Sequence, residues 1–318
     1  RMGLYNCALV QRDGGSLGDV PWFDKILLDP PCSALGSLQD PSKKRRRQNL
    51  ERLEDLTALQ YRLLGSSAKM LKEGGEMVYS TCTTTLEENE ALLERFVRQF
   101  PFEIVDIVGG SAWEPNASGE KIFGPLENTL RIAFETLGSE AFFVAKLRKK
   151  GPIGLPSLPV SKSPGEEADR PAIRPILQFL SEAHGISPAF WTSFLFELSG
   201  ENLYFFRKPG FALPSLPFAR IGMKLAVHDP KNDWKLTTPS AQVLGKEITR
   251  NIVELEKKQD LISYYYGNSV KTAAPDFLQG TVRYRGWTIG TGKVRSGVLF
   301  SQFPKTSRMT QIDLGRIL

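Results

Sequence analysis

Two of the three cysteines in this 318-residue chain occupy matching places. Cys32 closes Asp29-Pro30-Pro31-Cys32, just after the apolar run 23–28, and Cys82 closes Ser80-Thr81-Cys82, just after the run 75–79. Both runs read as β-strands, so each thiol falls just beyond a strand's carboxyl end, where open α/β sheets bind ligands. A thiolate at such a place is a nucleophile. It can add to C6 of a pyrimidine ring, which makes C5 electron-rich enough to take a methyl group from a sulfonium donor. A base then removes the C5 proton and the thiolate leaves. Taken alone, Cys82 reads as a buried structural thiol; the pair in equivalent positions favours chemistry.

The elements around the cysteines decide whether they meet. Residues 50–72 read as a helix, with Leu53, Leu56, Leu59, Leu63 and Leu64 near the 3.6-residue period, and Gly74-Gly75 should stop it. Residues 23–28 look like a strand buried on both faces, and 76–80 like the next strand. Residues 23–80 therefore form one strand–helix–strand unit, which places its strands in parallel and often side by side. At a spacing of ~4.8 Å, Cys32 and Cys82 would rise together from one sheet edge. Thr85 and Glu88 have capping-box spacing ahead of a helix to about residue 98. Residues 102–108 and 141–147 read as a terminal antiparallel pair. Residues 5–10 read as a further short strand, with Cys7 in its core, followed by the turn Arg12-Asp13-Gly14-Gly15.

Composition sets the outer bounds. At 41% hydrophobic the chain can bury real cores, and its length suits two domains. Three cysteines argue against a disulfide scaffold and for a reducing, intracellular compartment, with cytoplasm, nucleus and organelle left open. No stretch approaches the ~18 apolar residues of a transmembrane helix, so no membrane partner is expected. The net charge of +6 favours an anionic partner, nucleic acid first. His184 and His228 have no partners at metal spacing, and no metal is expected. Lys43, Lys44, Arg45, Arg46 and Arg47 form a charge run that is a solvated face by default; following Cys32, it is assigned to RNA backbone. Residues 149–170, punctuated by Pro and Gly, read as a linker. After it come a helix at 172–185, mixed α/β sequence, and short glycine-separated strands over 281–300 that suggest a small β-barrel. Trp287 reads as a core tryptophan before a base-stacking one, and Tyr264-Tyr265-Tyr266 as packing at least as much as stacking.

The order of motifs resembles the Sun/Fmu-type RNA cytosine-5 methyltransferases. Asp-Pro-Pro-Cys-Ser, a helix with Gln60, Gly-Gly-Glu-Met-Val-Tyr-Ser-Thr-Cys-Thr, Glu87-Glu88-Asn89-Glu90, Arg131-Ile132 and Phe142-Phe143-Val144-Ala145-Lys146 carry that likeness over residues 1–147. The resemblance implies a partial Rossmann-like, S-adenosylmethionine-dependent α/β sheet. It implies that Cys82 is the nucleophile, that Cys32 assists product release, that Asp29 lines the cofactor and base pocket, and that Asp13 contacts the cofactor's adenosine. Asp-Gly is also a common turn in its own right, so for Asp13 both readings stay open. The family usually has Ala at Pro30 and Gly at Ala34; the second change touches a position where Gly often serves a special φ. The family's glycine-rich cofactor loop should precede residue 1; the chain starts at Arg1, and an N-terminal part is expected ahead of it.

Arg220-Ile221-Gly222-Met223-Lys224-Leu225, Gly286-Trp287-Thr288-Ile289-Gly290-Thr291-Gly292-Lys293 and Phe303-Pro304-Lys305 with Arg308 resemble the RNA-binding extension, with a PUA-like barrel, of RsmF-like ribosomal RNA methyltransferases. Lys293, Lys305 and Arg308 could meet phosphates there. The expected organisation is thus a catalytic segment 1–148, a linker 149–170 and an RNA-binding extension 171–318, with a PUA-like barrel near 278–318. The expected activity is S-adenosyl-L-methionine-dependent cytosine-5 methylation of RNA, ribosomal RNA or a ribosomal particle being the expected partner. The alternative is an inactive or split homologue that binds RNA as a structural or assembly factor.

Overall fold

The computed structural model describes residues 4–17, 21–36, 51–107, 126, 128–132, 141–153, 165–209, 218–230 and 233–305. The charge run Lys43, Lys44, Arg45, Arg46, Arg47 and the cation Arg308 lie outside them. The chain divides into two compact units, one of Arg12–Val160 with Pro214–Leu216, the other of Arg1–Gln11, Ser161–Leu213 and Pro217–Leu318. Strand β1 (Ala8–Val10) falls in the latter, where Ala8 and Leu9 pair antiparallel with Ile221 and Arg220 of β9 (Phe218–Ile221). Cys7 precedes that strand, half-buried, instead of lying within it.

Among the described residues, the unit that carries Cys32 and Cys82 holds a five-stranded sheet and two α-helices. Strand β2 (Phe23–Leu28) pairs in parallel with β3 (Leu71–Thr81), through Ile26 opposite Met77 and Leu28 opposite Tyr79. Helix α1 (Leu53–Met70) makes the crossover between them, so the expected adjacency of the two strands is found. Beyond β3 lies β6 (Phe142–Lys149), antiparallel to it and to β4 (Phe102–Val105). A short strand unforeseen in the sequence, β5 (Thr129–Ile132), also pairs with β6. Leu64, Ala68, Met77, Tyr79, Phe96, Phe143 and Leu147 close the core between the sheet and the helices α1 and α2 (Glu90–Gln99).

Two local expectations are corrected. Helix α1 ends at Met70, ahead of Gly74-Gly75, because Leu71 is drawn into the sheet opposite Phe23. The two glycines instead carry a bulge in β3: the register jumps from Leu71 opposite Phe23 to Glu76 opposite Lys25, and Gly74 adopts φ 74°. The freed carbonyls of Ala68 and Leu71 each accept a bond from the buried Lys149 Nζ, at 2.8 and 2.7 Å. Nor is β2 buried on both faces. Leu27 is 74% exposed, since the described helices cover one face of the sheet only.

Besides the β1–β9 pair, the described residues of the other unit form two larger sheets. Strands β7 (Phe194–Ser199), β8 (Asn202–Arg207), β10 (Met223–Asp229) and β11 (Asp233–Leu236) form an antiparallel sheet in the order β11-β10-β8-β7. Helices α3 (Arg174–His184), α4 (Pro188–Trp191) and α5 (Thr238–Val243) accompany it, with a core that includes Leu180, Trp191, Phe196, Phe205 and Leu225. The second sheet runs β12-β14-β15-β16-β13, from β12 (Ile252–Leu255), β13 (Ser269–Lys271), β14 (Phe277–Tyr284), β15 (Trp287–Arg295) and β16 (Val298–Ser301). Helix α6 (Lys258–Tyr266) lies against it and buries Tyr264, whose hydroxyl donates to the Thr291 carbonyl at 2.9 Å. No described helix is long and apolar enough to cross a membrane.

Candidate active site

Past the carboxyl ends of β2 and β3, the Sγ atoms of Cys32 and Cys82 stand 3.2 Å apart, both half-buried. Adjacent parallel strands bring the two loops together, and backbone bonds tie them. Gly36 N–H donates to the Cys82 carbonyl at 3.1 Å, and Ala141 N–H to the Gly36 carbonyl at 3.0 Å. Gly36 can take no side chain, since a Cβ would lie 2.6 Å from the Ala141 carbonyl oxygen and 2.9 Å from that of Cys82.

A buried carboxylate holds the loops from below. Glu88 Oε1 accepts from Ser33 N–H and from Gln60 Nε2, each at 2.9 Å. Its Oε2 accepts from the Ser33 hydroxyl at 2.5 Å and the Thr85 hydroxyl at 2.8 Å. Ser33 Oγ also lies 2.7 Å from Thr83 Oγ1, so residues flanking the two cysteines share one network. Gln60 reaches the first loop again by donating to the Pro31 carbonyl at 2.9 Å. The Tyr79 hydroxyl donates to the Glu88 carbonyl at 2.8 Å; burial first, then the neighbouring Glu88 and Cys32, push that phenol's pKa upward, so it stays a donor. On the far side, Arg131 clasps the buried Glu90 through both carboxylate oxygens and donates to the Thr84 carbonyl at 2.9 Å.

The Thr85–Glu88 pair is therefore not a capping box. Helix α2 begins later, at Glu90, and the two side chains bond to each other. Sequence reasoning assigned Glu88 to a helix start and missed its place under the cysteines. One signal was available: Gln60 is a polar residue on the apolar stripe of α1, which calls for a buried polar partner.

The other expected site residues are spread differently. Asp29 directly follows β2 and is exposed. Asp13 caps a short 3₁₀ turn, accepting from Gly15 N–H at 2.9 Å, and pairs with Arg62 at 2.7 Å. The Gly15 bond, then Arg62, holds its carboxyl below the usual range. Arg62 follows Gln60 by two helical positions, about 200° round α1, so Asp13 meets the face of α1 away from the cysteines. Ala34 takes φ 53°, the left-handed conformation for which glycine is suited. In the second unit, Lys293 is half-buried on β15 and Lys305 exposed after β16. Trp287 is not a core residue: it is 79% exposed, because it directly follows the Arg285-Gly286 turn that joins β14 to β15. It lines a cleft of about 860 Å³ with Phe190, Arg207, Lys246, Arg283 and Thr288. Among the described residues no cluster of three or more His, Cys, Asp or Glu side chains could hold a metal ion.

A parallel strand pair ending in two juxtaposed cysteines, in a mixed α/β unit, defines the class to which comparison with known proteins gives a family. Residues 1–148 match the model of the 16S rRNA methyltransferases RsmB/F. That likeness covers residues 1–148, just under half of the 318-residue chain. It is 32% identical over 309 residues to the ribosomal RNA small subunit methyltransferase F of Aeromonas salmonicida, and 33% identical over 317 residues to that of Aeromonas hydrophila. Each alignment covers 92% of this chain and 61% of the relative, so the chain spans about three-fifths of those relatives' length. A solved structure, NSun6 from Pyrococcus horikoshii with SFG, is 31% identical over 45% of this chain and 34% of its own, with a TM-score of 0.36.

Proposed function

We propose that the chain takes part in methyl transfer to C5 of a cytosine in ribosomal RNA, with Cys82 as the nucleophile. The observation that carries this reading is the 3.2 Å approach of Cys32 and Cys82 at the end of a parallel strand pair. Cys82 Sγ attacks C6 of the cytosine, and Cys32, within contact of that sulfur, assists its release after the C5 proton is lost. The target base must leave its stack to reach two half-buried thiols. The Glu88 network fixes both loops, so the sulfurs need no rearrangement before attack.

S-adenosyl-L-methionine would supply the methyl group as a sulfonium. The exposed carboxylate of Asp29, beyond the end of β2, suits a polar or cationic ligand and is the residue we assign to it. Asp13, occupied by Gly15 and Arg62, serves the turn in the described conformation. In this reading residues 1–148 are part of a Rossmann-like catalytic domain and 171–318 an RNA-binding extension, its second sheet the PUA-like part. Lys293, Lys305 and the exposed Trp287 face RNA there, supported by the cations and aromatics of the Trp287 cleft. The test is transfer of a labelled methyl group to small-subunit rRNA, with mapping of the modified base. The label is expected on cytosine C5 and lost in Cys82→Ala; transfer that survives Cys82→Ala would exclude this role.

A further inference from the structure

We propose that Cys32 and Cys82 form an oxidative modification site, at which a hydroperoxide converts the two thiols into a reversible intramolecular disulfide. Their sulfurs are 3.2 Å apart, against ~2.05 Å in a disulfide, so closure asks for a displacement of about 1 Å. The Gly36–Cys82 backbone bond and the Ser33–Thr83–Glu88 network hold the loops at this separation instead of letting them part. Both cysteines are half-buried, so a small oxidant reaches them while large thiol reagents are hindered.

The chemistry balances in two steps. One thiolate attacks a peroxide oxygen: an S–O bond forms, the O–O bond breaks, and the departing alkoxide or hydroxide takes a proton from water. The second thiolate then attacks the sulfenic sulfur: the S–S bond forms and the hydroxyl leaves, taking up the proton that the second thiol gave up, as water. Two thiols are oxidised by two electrons, and the hydroperoxide is reduced to an alcohol or water plus water. The bond ties up both sulfurs, so an oxidised chain cannot add to a pyrimidine. That consequence rests on the methyl-transfer reading of Cys82; the bond itself rests on geometry alone.

The experiment exposes the polypeptide, with Cys7→Ser to remove the third thiol, to hydrogen peroxide, then alkylates, digests and weighs it. We expect the intact mass to fall by two hydrogens, the Cys32 and Cys82 peptides to appear linked, and dithiothreitol to restore both alkylatable thiols. Cys32→Ser in the same background should give no linked peptide. Two cysteines that both stay alkylatable, or that both climb to sulfinic acid without linking, would overturn the proposal. The readout is mass, not turnover. A failed disulfide therefore leaves the methyl-transfer reading standing, and a linked pair stands even in a chain that transfers no methyl group.

Discussion

Ser33 and Glu88 are 55 residues apart in sequence, and their side chains meet at 2.5 Å beneath the two cysteines. This bond, with the Ser33 N–H bond to the same carboxylate, fixes the Cys32 loop to the segment that follows Cys82. Four donors converge on one buried Glu88, so the carboxylate organises the loops as well as joining them.

Glu88→Gln keeps the shape but removes the charge that strengthens all four bonds, and makes the Ser33 and Thr85 hydroxyls turn from donating to accepting. It should cost about 2 kcal/mol of stability in this unit, read as a lowered urea midpoint. The peroxide-driven linkage of Cys32 to Cys82 should slow in the same variant. Unchanged stability would mean the four bonds do not hold the loops.

Ala34 carries a φ of 53° that an L-residue adopts at a cost. Ala34→Gly should therefore stabilise the chain by about 1 kcal/mol, less the entropy that glycine adds to the unfolded state. Denaturant melts of the pair measure it, and a destabilised glycine variant would place Ala34 outside the left-handed region.

His184 is buried in the second unit, and burial lowers its pKa to about 4. Below its ordinary value of ~6.5, the unfolded chain takes up a proton that the folded chain refuses. Its contribution is complete above that value and declines as pH falls toward about 4, by about 3 kcal/mol in total. His184→Gln should flatten that part of the stability–pH curve relative to the parent; parallel curves would refute it.

Trp287 stands out of the β14–β15 turn beside a cleft lined by Arg207, Lys246 and Arg283. Trp287→Ala should weaken binding of single-stranded RNA by about 1–3 kcal/mol, the range of one base stack. Its melting temperature should stay put, since little of the ring is buried. RNA titrations give the first and thermal melts the second; unaltered affinity would remove the ring from the interface.

What could be read from the sequence follows the range of the forces involved. The adjacency of β2 and β3 was legible because a strand–helix–strand unit has few ways to close, and with it the meeting of Cys32 and Cys82. The β4–β6 antiparallel pair was legible from its apolar runs. Glu88 was not, because its spacing from Thr85 satisfies a local capping rule that its tertiary partners override. Trp287 was misread because a large aromatic at a strand start is core by default, and only the turn geometry sends it outward. The pairing of β1 with β9 joins segments about 210 residues apart, which no local pattern encodes.

In the proposed mechanism Cys82 attacks the base and Cys32 releases it. The most direct test incubates the Cys32→Ala polypeptide with S-adenosylmethionine and small-subunit rRNA, then runs a denaturing gel. The expected result is an RNA-linked protein band that Cys32→Ala accumulates and that Cys32→Ala with Cys82→Ala lacks. A Cys32→Ala chain that methylates at the parent rate without any linked band, or a band that persists without Cys82, would contradict it.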